Sequence, residues 1–556
     1  MHRKTVRRWS MVVGLGLLLA ACQSSDDPAN NADTKSRTNT SPRPNFLIIV
    51  ADDLGYSDIG VFGGEIDTPN LDRLAREGLR FARFYASPMC STTRAMLLTG
   101  VDHHVVGYGN MPLYMRADQR GQPGYEGHLN ERVATISSEL LRMGYHTSIA
   151  GKWHLGKGEN LSPAARGFRR SFVLEDAGGN HFNRNDFRPA YQANYRRDGK
   201  ITDPPEQFYS SELFTTELIG FISEAIAEQR SFFSVLSFTA PHAPLQAPRS
   251  FIDKYRGRYD AGYAVTARRR LANLHTRGVF DKPLEEVRLK ALQEDWDALS
   301  DAGKQSERRK MEVYAAMIDA MDKQIGRILS FAESKDVLRN TVVVFLSDNG
   351  ASGIDRSNSE RWQSWMHEMG LSNNLENIGS STSSVFLGAE WASVSNTPFR
   401  LFKTFTTEGG IRTPAIIRMP NYDWPGTVTR APVSVMDLAP TIVEMASQGQ
   451  AGSAMYGGNV SHGHSLLPAL NDLELWPNFY DATYAFELNG RRAVFFGPWK
   501  YLYSPAPFGT GDWELYHVDL DPFETHNVRS SNPDIAIRLD EAWHRYVDSN
   551  GVLITH

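Results

Sequence analysis

Phe46-Leu47-Ile48-Ile49-Val50, closed by Ala51-Asp52-Asp53, is a short apolar run rich in β-branched residues that ends on two carboxylates. A run of that length bounded by polar residues reads as a strand buried on both faces of a parallel sheet. Similar runs occur at Thr147 to Ala150, Phe232 to Phe238, Thr341 to Leu346 and Ala415 to Ile417. They alternate with helical patterns: Leu71 to Phe81 carries Leu71, Leu74, Ala75 and Leu79 on one face, and Glu312 to Phe331 places Tyr314, Met317, Met321, Ile325 and Ile328 at helical spacing. The methionines of that stripe are expected in the core. The predicted fold is therefore α/β, a large mixed, mostly parallel sheet flanked by helices.

The polar residues just past the strands are more telling than the strands themselves. Asp52 and Asp53 come after the first; Lys152 and His154 after the second; His242 ends Ala240-Pro241-His242; Asp348-Asn349-Gly350 closes the Thr341 run. In an open α/β sheet the carboxyl ends of the strands share one crevice, so these residues are expected in one pocket. Singly, each has a plainer reading: an Asp pair can cap a helix, Asp-Asn-Gly is a turn signal, and a lone histidine is usually a satisfied one. Jointly, Asp52, Asp53, Asp348 and Asn349 offer hard oxygen donors suited to Ca²⁺ or Mg²⁺. Lys152, His154, His242, Arg94 and Lys403 add positive charge and donors, a setting for a tetrahedral oxyanion.

The chain has 556 residues, 41% hydrophobic and 22% charged, with 64 acids against 59 bases and a net charge of −5. No basic stripe appears, so nucleic acid is not an expected partner. Only two cysteines occur, Cys22 and Cys90. Cys22 ends Leu19-Ala20-Ala21-Cys22, after Arg3, Lys4, Arg7 and Arg8 and an apolar run too short to span a membrane. Residues 1–22 thus read as a lipoprotein-type signal peptide with Cys22 as lipid acceptor, and residues 23–43 as a flexible linker. An exported protein is expected, in the periplasm or on the outer membrane, touching lipid only through that anchor. Residues 44–430 are read as the catalytic domain.

The blocks Pro44 to Tyr56, Cys90-Ser91-Thr92-Thr93-Arg94 to Gly100, Gly151-Lys152-Trp153-His154-Leu155-Gly156, Ala240-Pro241-His242, Ser347 to Gly350, and Asn396-Thr397-Pro398 through Lys403 to Gly410 together resemble the formylglycine-dependent sulfatases, in particular bacterial arylsulfatases of the alkaline phosphatase superfamily. The resemblance implies that Cys90 is oxidised to formylglycine by a maturation enzyme. One hydroxyl of its hydrated aldehyde attacks sulfur and the other expels sulfate. It further implies that Asp52, Asp53, Asp348, Asn349 and the modified Cys90 hold a divalent cation, Ca²⁺ or Mg²⁺. His242 is then the general acid, with Lys403 also contacting sulfate; His154 is the base, and Lys152 and Arg94 fix the diol. The substrate is a small-molecule or carbohydrate sulfate ester, aryl sulfate foremost. A phosphate or phosphonate monoester hydrolase of the same superfamily is the alternative, as is a non-catalytic binder of sulfated glycans should Cys90 stay a thiol. The signature departs from the family at Thr92, where Pro or sometimes Ala is usual.

Residues 431–556 resemble the family's small C-terminal α+β domain, with strands at Ala493 to Phe496, Lys500 to Tyr503 and Glu514 to Val518 and a helix at Asp534 to Val547. Asn180-His181 and the Ser372 to Trp391 region are candidate surface loops shaping the substrate site.

Overall fold

The computed structural model describes residues 43–554 apart from 187–191, 285–287, 421, 423, 425 and 449–461. The proposed lipid acceptor Cys22 and the expected linker up to residue 42 lie outside the described residues.

The opening run forms β1 (Asn45–Asp52), buried along its whole length. Its side chains divide with period two: Leu47 and Ile49 pack into one apolar cluster, Phe46, Ile48 and Val50 into the other. That two-sided burial explains the continuous apolar run, and each fully buried Leu, Ile or Phe contributes about 1.5–3 kcal/mol. Further strands of the same sheet are β2 (Leu79–Tyr85), β3 (His146–Lys152), β4 (Arg170–Leu174), β5 (Tyr195–Arg197), β6 (Lys200–Thr202), β7 (Phe232–Pro241), β8 (Thr341–Ser347), β9 (Arg412–Arg418), β10 (Thr427–Thr429) and β11 (Val433–Ser434). Their order is β10-β2-β9-β8-β1-β7-β3-β4-β5-β6, with β11 also on β2. The central strands β8, β1, β7, β3 and β4 run parallel, whereas β9 lies antiparallel to both β8 and β2.

One expected element is corrected. The helix read over Leu71 to Phe81 stops at Arg76, and Leu79 to Phe81 belong to β2. Leu79 meets helical spacing by coincidence; pairing with Ile417 of β9 and Thr427 of β10 draws it into the sheet. The methionine stripe behaves as expected, on a helix (Asp301–Ser334) longer than its periodic part and capped by Ser300, whose hydroxyl accepts from the Gly303 amide. Met311, Met317 and Met321 are all fully buried in the core.

Toward the C-terminus β12 (Thr483–Leu488), β13 (Arg491–Phe496), β14 (Trp499–Tyr503) and β15 (Trp513–His517) form an antiparallel sheet. The helix Pro533–Asn550 lays Leu539 and Trp543 over it, against Val494, Tyr501 and Leu515.

Candidate functional site

The parallel strands deliver their carboxyl ends to one cleft. β1 ends on Asp52, with Asp53 next in a left-handed backbone conformation at φ 67°. Non-glycine residues adopt that region at a cost, and here Asp53 and His154 (54°) do so in the lining of one cavity, with Leu401 (60°) and Thr404 (81°) in the segment that carries its Lys403. The strain is held by neighbours, as when the amides of Lys403 and Thr404 donate to the carbonyls of Ala351 and Pro88. Gly350 lets the loop after β8 close, since a Cβ there would lie 1.9 Å from the Gly409 carbonyl oxygen.

Cys90 opens the helix Cys90–Thr99, preceded by Met89 in extended conformation with no side chain capping the turn. The first amides of that helix are thus free to face an anion. The Cys90 sulfur lies 3.3 Å from His154 Nδ1. Behind it, Arg94 donates to Asp348 Oδ2 through Nε and Nη2 at 2.9 and 2.7 Å. Lys152 Nζ donates to Asp52 Oδ2 at 2.6 Å, and Lys403 Nζ to Asp53 Oδ1 at 2.6 Å. Asn349 Nδ2 also donates to Asp53 Oδ1, at 2.7 Å. His242 Nε2 stands 3.7 Å from Asp53 Oδ2, its other ring nitrogen 2.6 Å from the Ala243 carbonyl oxygen. All ten candidate residues from the sequence meet here.

Charge is tightly balanced in this pocket. Burial alone would raise Asp53, but Lys403 foremost among its neighbours brings it down to about 2. Asp348 goes the other way, pushed up to about 6 by burial with Asp52 adding to it. Burial works against the charge of Lys403, yet Asp53 and the carboxylates beyond it hold it strongly cationic. Burial, reinforced by Lys152 and Arg94, depresses His154 well below the ordinary histidine range, and burial brings His242 down to about 3. Cys90 is pushed up by burial.

Two oxygens in this cluster have no hydrogen-bond partner: Asp52 Oδ1 and Asn349 Oδ1, both fully buried. Buried orphan oxygens are costly and rare in folded proteins. Together with Asp53 and Asp348 they form a set of hard oxygen donors that fits a divalent cation of the Ca²⁺ or Mg²⁺ type. Asp52, Cys90 and Asp348 also bring ligand atoms within 4.8 Å of one another, as do Asp52, Asp53 and His242.

Some contributors carry no sequence signal. Ser237, inside β7, accepts from Arg94 Nη1 and donates to the Lys152 carbonyl, joining two site residues through one hydroxyl. Tyr108 donates to the His154 carbonyl at 3.0 Å. His181, expected on a surface loop, is buried, with Nε2 3.1 Å from the His242 carbonyl oxygen and Nδ1 2.7 Å from Ser210 Oγ. It supports the His242 backbone. The Ser372 to Trp391 region does reach the cleft, through Phe386.

The cleft encloses about 630 Å³, with Asp53, Cys90, His154, His242 and Lys403 at its floor. Its walls are largely apolar, built from Met111, Pro112, Leu113, Tyr114, Ile354 and Phe386. Arg356 and His128 also line it; of the other wall charges, Lys157 is paired with Asp176, and Glu175 lies 2.6 Å from Arg196 Nε.

The family model described as Sulfatase matches residues 44–448. An uncharacterized sulfatase of Schizosaccharomyces pombe is 39% identical over 537 residues, 92% of this chain and 95% of its own length. An arylsulfatase of Klebsiella aerogenes is 39% identical over 416 residues, 73% of this chain and 87% of its own. Among solved structures, Ps i-CgsB in complex with k-i-k-neocarrahexaose aligns over 91% of this chain and 92% of its own with a TM-score of 0.65 at 23% identity, a likeness of fold. A phosphonate monoester hydrolase of Agrobacterium radiobacter shares the fold as well, with a TM-score of 0.55 at 18% identity over 91% of this chain and 96% of its own.

Proposed function

This chain belongs to the sulfatase family, and from that premise we propose that it hydrolyses aryl sulfate monoesters to phenol and sulfate, using a formylglycine made from Cys90 and a divalent cation, Ca²⁺ before Mg²⁺. The observation that carries the reading is the setting of Cys90: at an uncapped helix N-terminus, in contact with His154, on the floor of a cleft framed by oxygen donors and cations. The apolar part of the wall, with Met111, Pro112, Ile354 and Phe386, favours an aromatic leaving group, while His128, Ser352 and Arg356 supply polar contacts in the same lining.

In this proposal Asp52, Asp53, Asp348 and Asn349 hold the cation, which when bound supplies Lewis-acid polarisation of the sulfate group. Arg94 and Lys152 fix the carboxylates behind it. The attacking hydroxyl of the Cys90 hydrate gives its proton to Asp348; His154, left unprotonated by its burial, takes the remaining hydroxyl proton of the sulfated hydrate as sulfate departs and passes it to the sulfate. His242, expected from the sequence to be the general acid, is held neutral by burial and in this proposal orients the leaving oxygen, while Lys403, the cationic group of the pair, gives it a proton and is recharged from Asp348 through solvent. Water restores the hydrate, so one water and one ester yield one phenol and one hydrogen sulfate.

The test joins three measurements. Peptide mass spectrometry of the Cys90 fragment is expected to show aldehyde in place of thiol; hydrolysis of an aryl sulfate is expected to exceed that of the matching aryl phosphate and to fall on chelation. An intact thiol throughout, or a preference for phosphate, would remove the reading. Export and a lipid anchor at Cys22 belong to the proposal too, as does the division into a catalytic part, 44–430, and a C-terminal part, 431–556. No helix among the described residues is long and apolar enough to cross a membrane. Cys22→Ser is expected to move the protein from the membrane fraction to the soluble one.

A further inference from the structure

Beyond the cleft, one buried cluster has ligand chemistry that the proposed reaction does not use. Asp102, His103 and His104 come just after the helix Cys90–Thr99 and are at most 1% exposed. One oxygen or ring nitrogen from each lies within 4.8 Å of the others. His104 Nδ1 is 2.9 Å from Asp102 Oδ1, and the Tyr546 hydroxyl, from the helix Pro533–Asn550, is 2.9 Å from Asp102 Oδ2 and 3.2 Å from His104 Nδ1.

The outer contacts of both imidazoles are already made. His103 Nδ1 lies 2.7 Å from the Tyr108 carbonyl oxygen, and His104 Nε2 lies 3.1 Å from Glu487 Oε2 on β12. A carbonyl or carboxylate on the far nitrogen is the arrangement that orients a metal-ligating histidine and sets its tautomer. His103 Nε2 is left buried with no partner. A proton on His104 shared between Asp102 and Glu487 accounts for those three residues, but it leaves His103 Nε2 orphaned.

We propose that His103 Nε2, His104 Nδ1 and the Asp102 carboxylate form a second, structural metal site for a borderline transition ion, zinc above all, with the Tyr546 hydroxyl facing its fourth position. Two imidazoles and a carboxylate suit Zn²⁺ and suit Ca²⁺ poorly. A tetrahedral zinc sets its ligand atoms roughly 3.3 Å apart, from bonds of about 2.0–2.1 Å; the His104–Asp102 pair stands at 2.9 Å, and His103, no more than 4.8 Å away, closes in on binding. Binding exchanges ions: the metal takes the His104 Nδ1 lone pair and the proton leaves to solvent. The site would join the loop carrying Tyr108 to β12 and to the helix Pro533–Asn550.

The test is elemental analysis of the full chain, purified from zinc-supplemented medium and dialysed against excess Ca²⁺. Wild type is expected to retain about one zinc per chain, Cys90→Ser to retain it equally, and His103→Gln to lose most of it. Because His103→Gln could misfold, X-ray absorption of the wild-type zinc gives a second readout: nitrogen and oxygen ligands without sulfur are expected. Wild type free of transition metal, zinc retained undiminished by folded His103→Gln, or a sulfur ligand that places the ion at Cys90 would each overturn the proposal. The result stands apart from the sulfatase reading, which Cys90 chemistry decides.

Discussion

The cluster around Asp53 and the cluster around Glu408 use the same parts, lysine and arginine sealed against carboxylates. In the second, Lys500 Nζ lies 2.9 Å from Glu408 Oε1 and 2.6 Å from Glu524 Oε1, while Arg412 Nη1 and the Tyr85 hydroxyl each reach Glu408 Oε2 at 3.2 Å. The Glu408 amide donates to Glu524 Oε2. Each carboxylate oxygen there lies within 3.2 Å of a cation or a donor, Glu524 Oε1 through its ion pair with Lys500 alone. In the first, Asp52 Oδ1 and Asn349 Oδ1 face nothing. Burial and charge alone therefore do not mark a functional site; what sets the first cluster apart is two oxygen donors facing neither cation nor hydrogen-bond donor beside Cys90. The Glu408 cluster fastens β14 to the segment just beyond Lys403, and so serves as a brace.

The widest separation between the two clusters is expected from Cys90→Ala. It removes the proposed nucleophile's precursor while taking only a sulfur from the core, so kcat/KM for an aryl sulfate should fall at least about a thousandfold. The melting temperature should move little. Residual activity near wild type would deny Cys90 its place in the chemistry and dissolve the contrast.

Lys403→Met is the next largest, because it combines both kinds of effect. It removes the proposed proton donor, expected to cost about 10²–10⁴-fold in kcat. It also strips Asp53 of its 2.6 Å cationic partner, leaving a buried carboxylate held by the Asn349 amide and in greater need of a bound cation. The variant's melting temperature should consequently depend on added Ca²⁺ more steeply than that of wild type. Equal dependence would show that Asp53 takes no part in cation binding.

How much of this was legible in the sequence differs by the range of the cause. Strand-end residues were readable because β1, β3, β7 and β8 are buried on both faces and read as continuous apolar runs, each succeeded by its polar group. The boundary between Arg76 and Leu79 was not, because a partner far along the chain, Ile417, decides it. Ser237 is one hydroxyl within a strand, and only its meeting with Arg94 and the Lys152 carbonyl gives it a role. His181 looked like a surface residue for the same reason: its neighbours Ser210 and His242 are distant in sequence.

In the brace, Lys500→Met should act on stability. With Glu408 and Glu524 left buried without their shared cation, about 3–5 kcal/mol of destabilisation is expected, read by denaturant unfolding. Turnover by the folded fraction should stay close to wild type, since Lys500 lies outside the cleft lining. A collapse of kcat at unchanged stability would place the Glu408 cluster with the catalytic one.

The smallest effect on the folded protein, and the finest test of the contrast, concerns Thr92. Its hydroxyl lies 2.7 Å from the Met89 carbonyl oxygen and 2.6 Å from Ser87 Oγ, both buried, so it stabilises the turn that presents Cys90. Thr92→Pro forfeits those contacts at a cost of about 1 kcal/mol, while the first helical turn tolerates the missing amide proton. Against this small loss, proline restores the residue that the family resemblance makes usual in the modification signature, which in the proposed maturation is read before the chain folds. The aldehyde fraction at Cys90, measured by mass spectrometry, should rise, and activity per milligram with it, while activity per aldehyde stays constant. If per-aldehyde activity fell instead, the Thr92 hydroxyl would be setting the geometry of the reacting residue, and its worth would lie in the folded site.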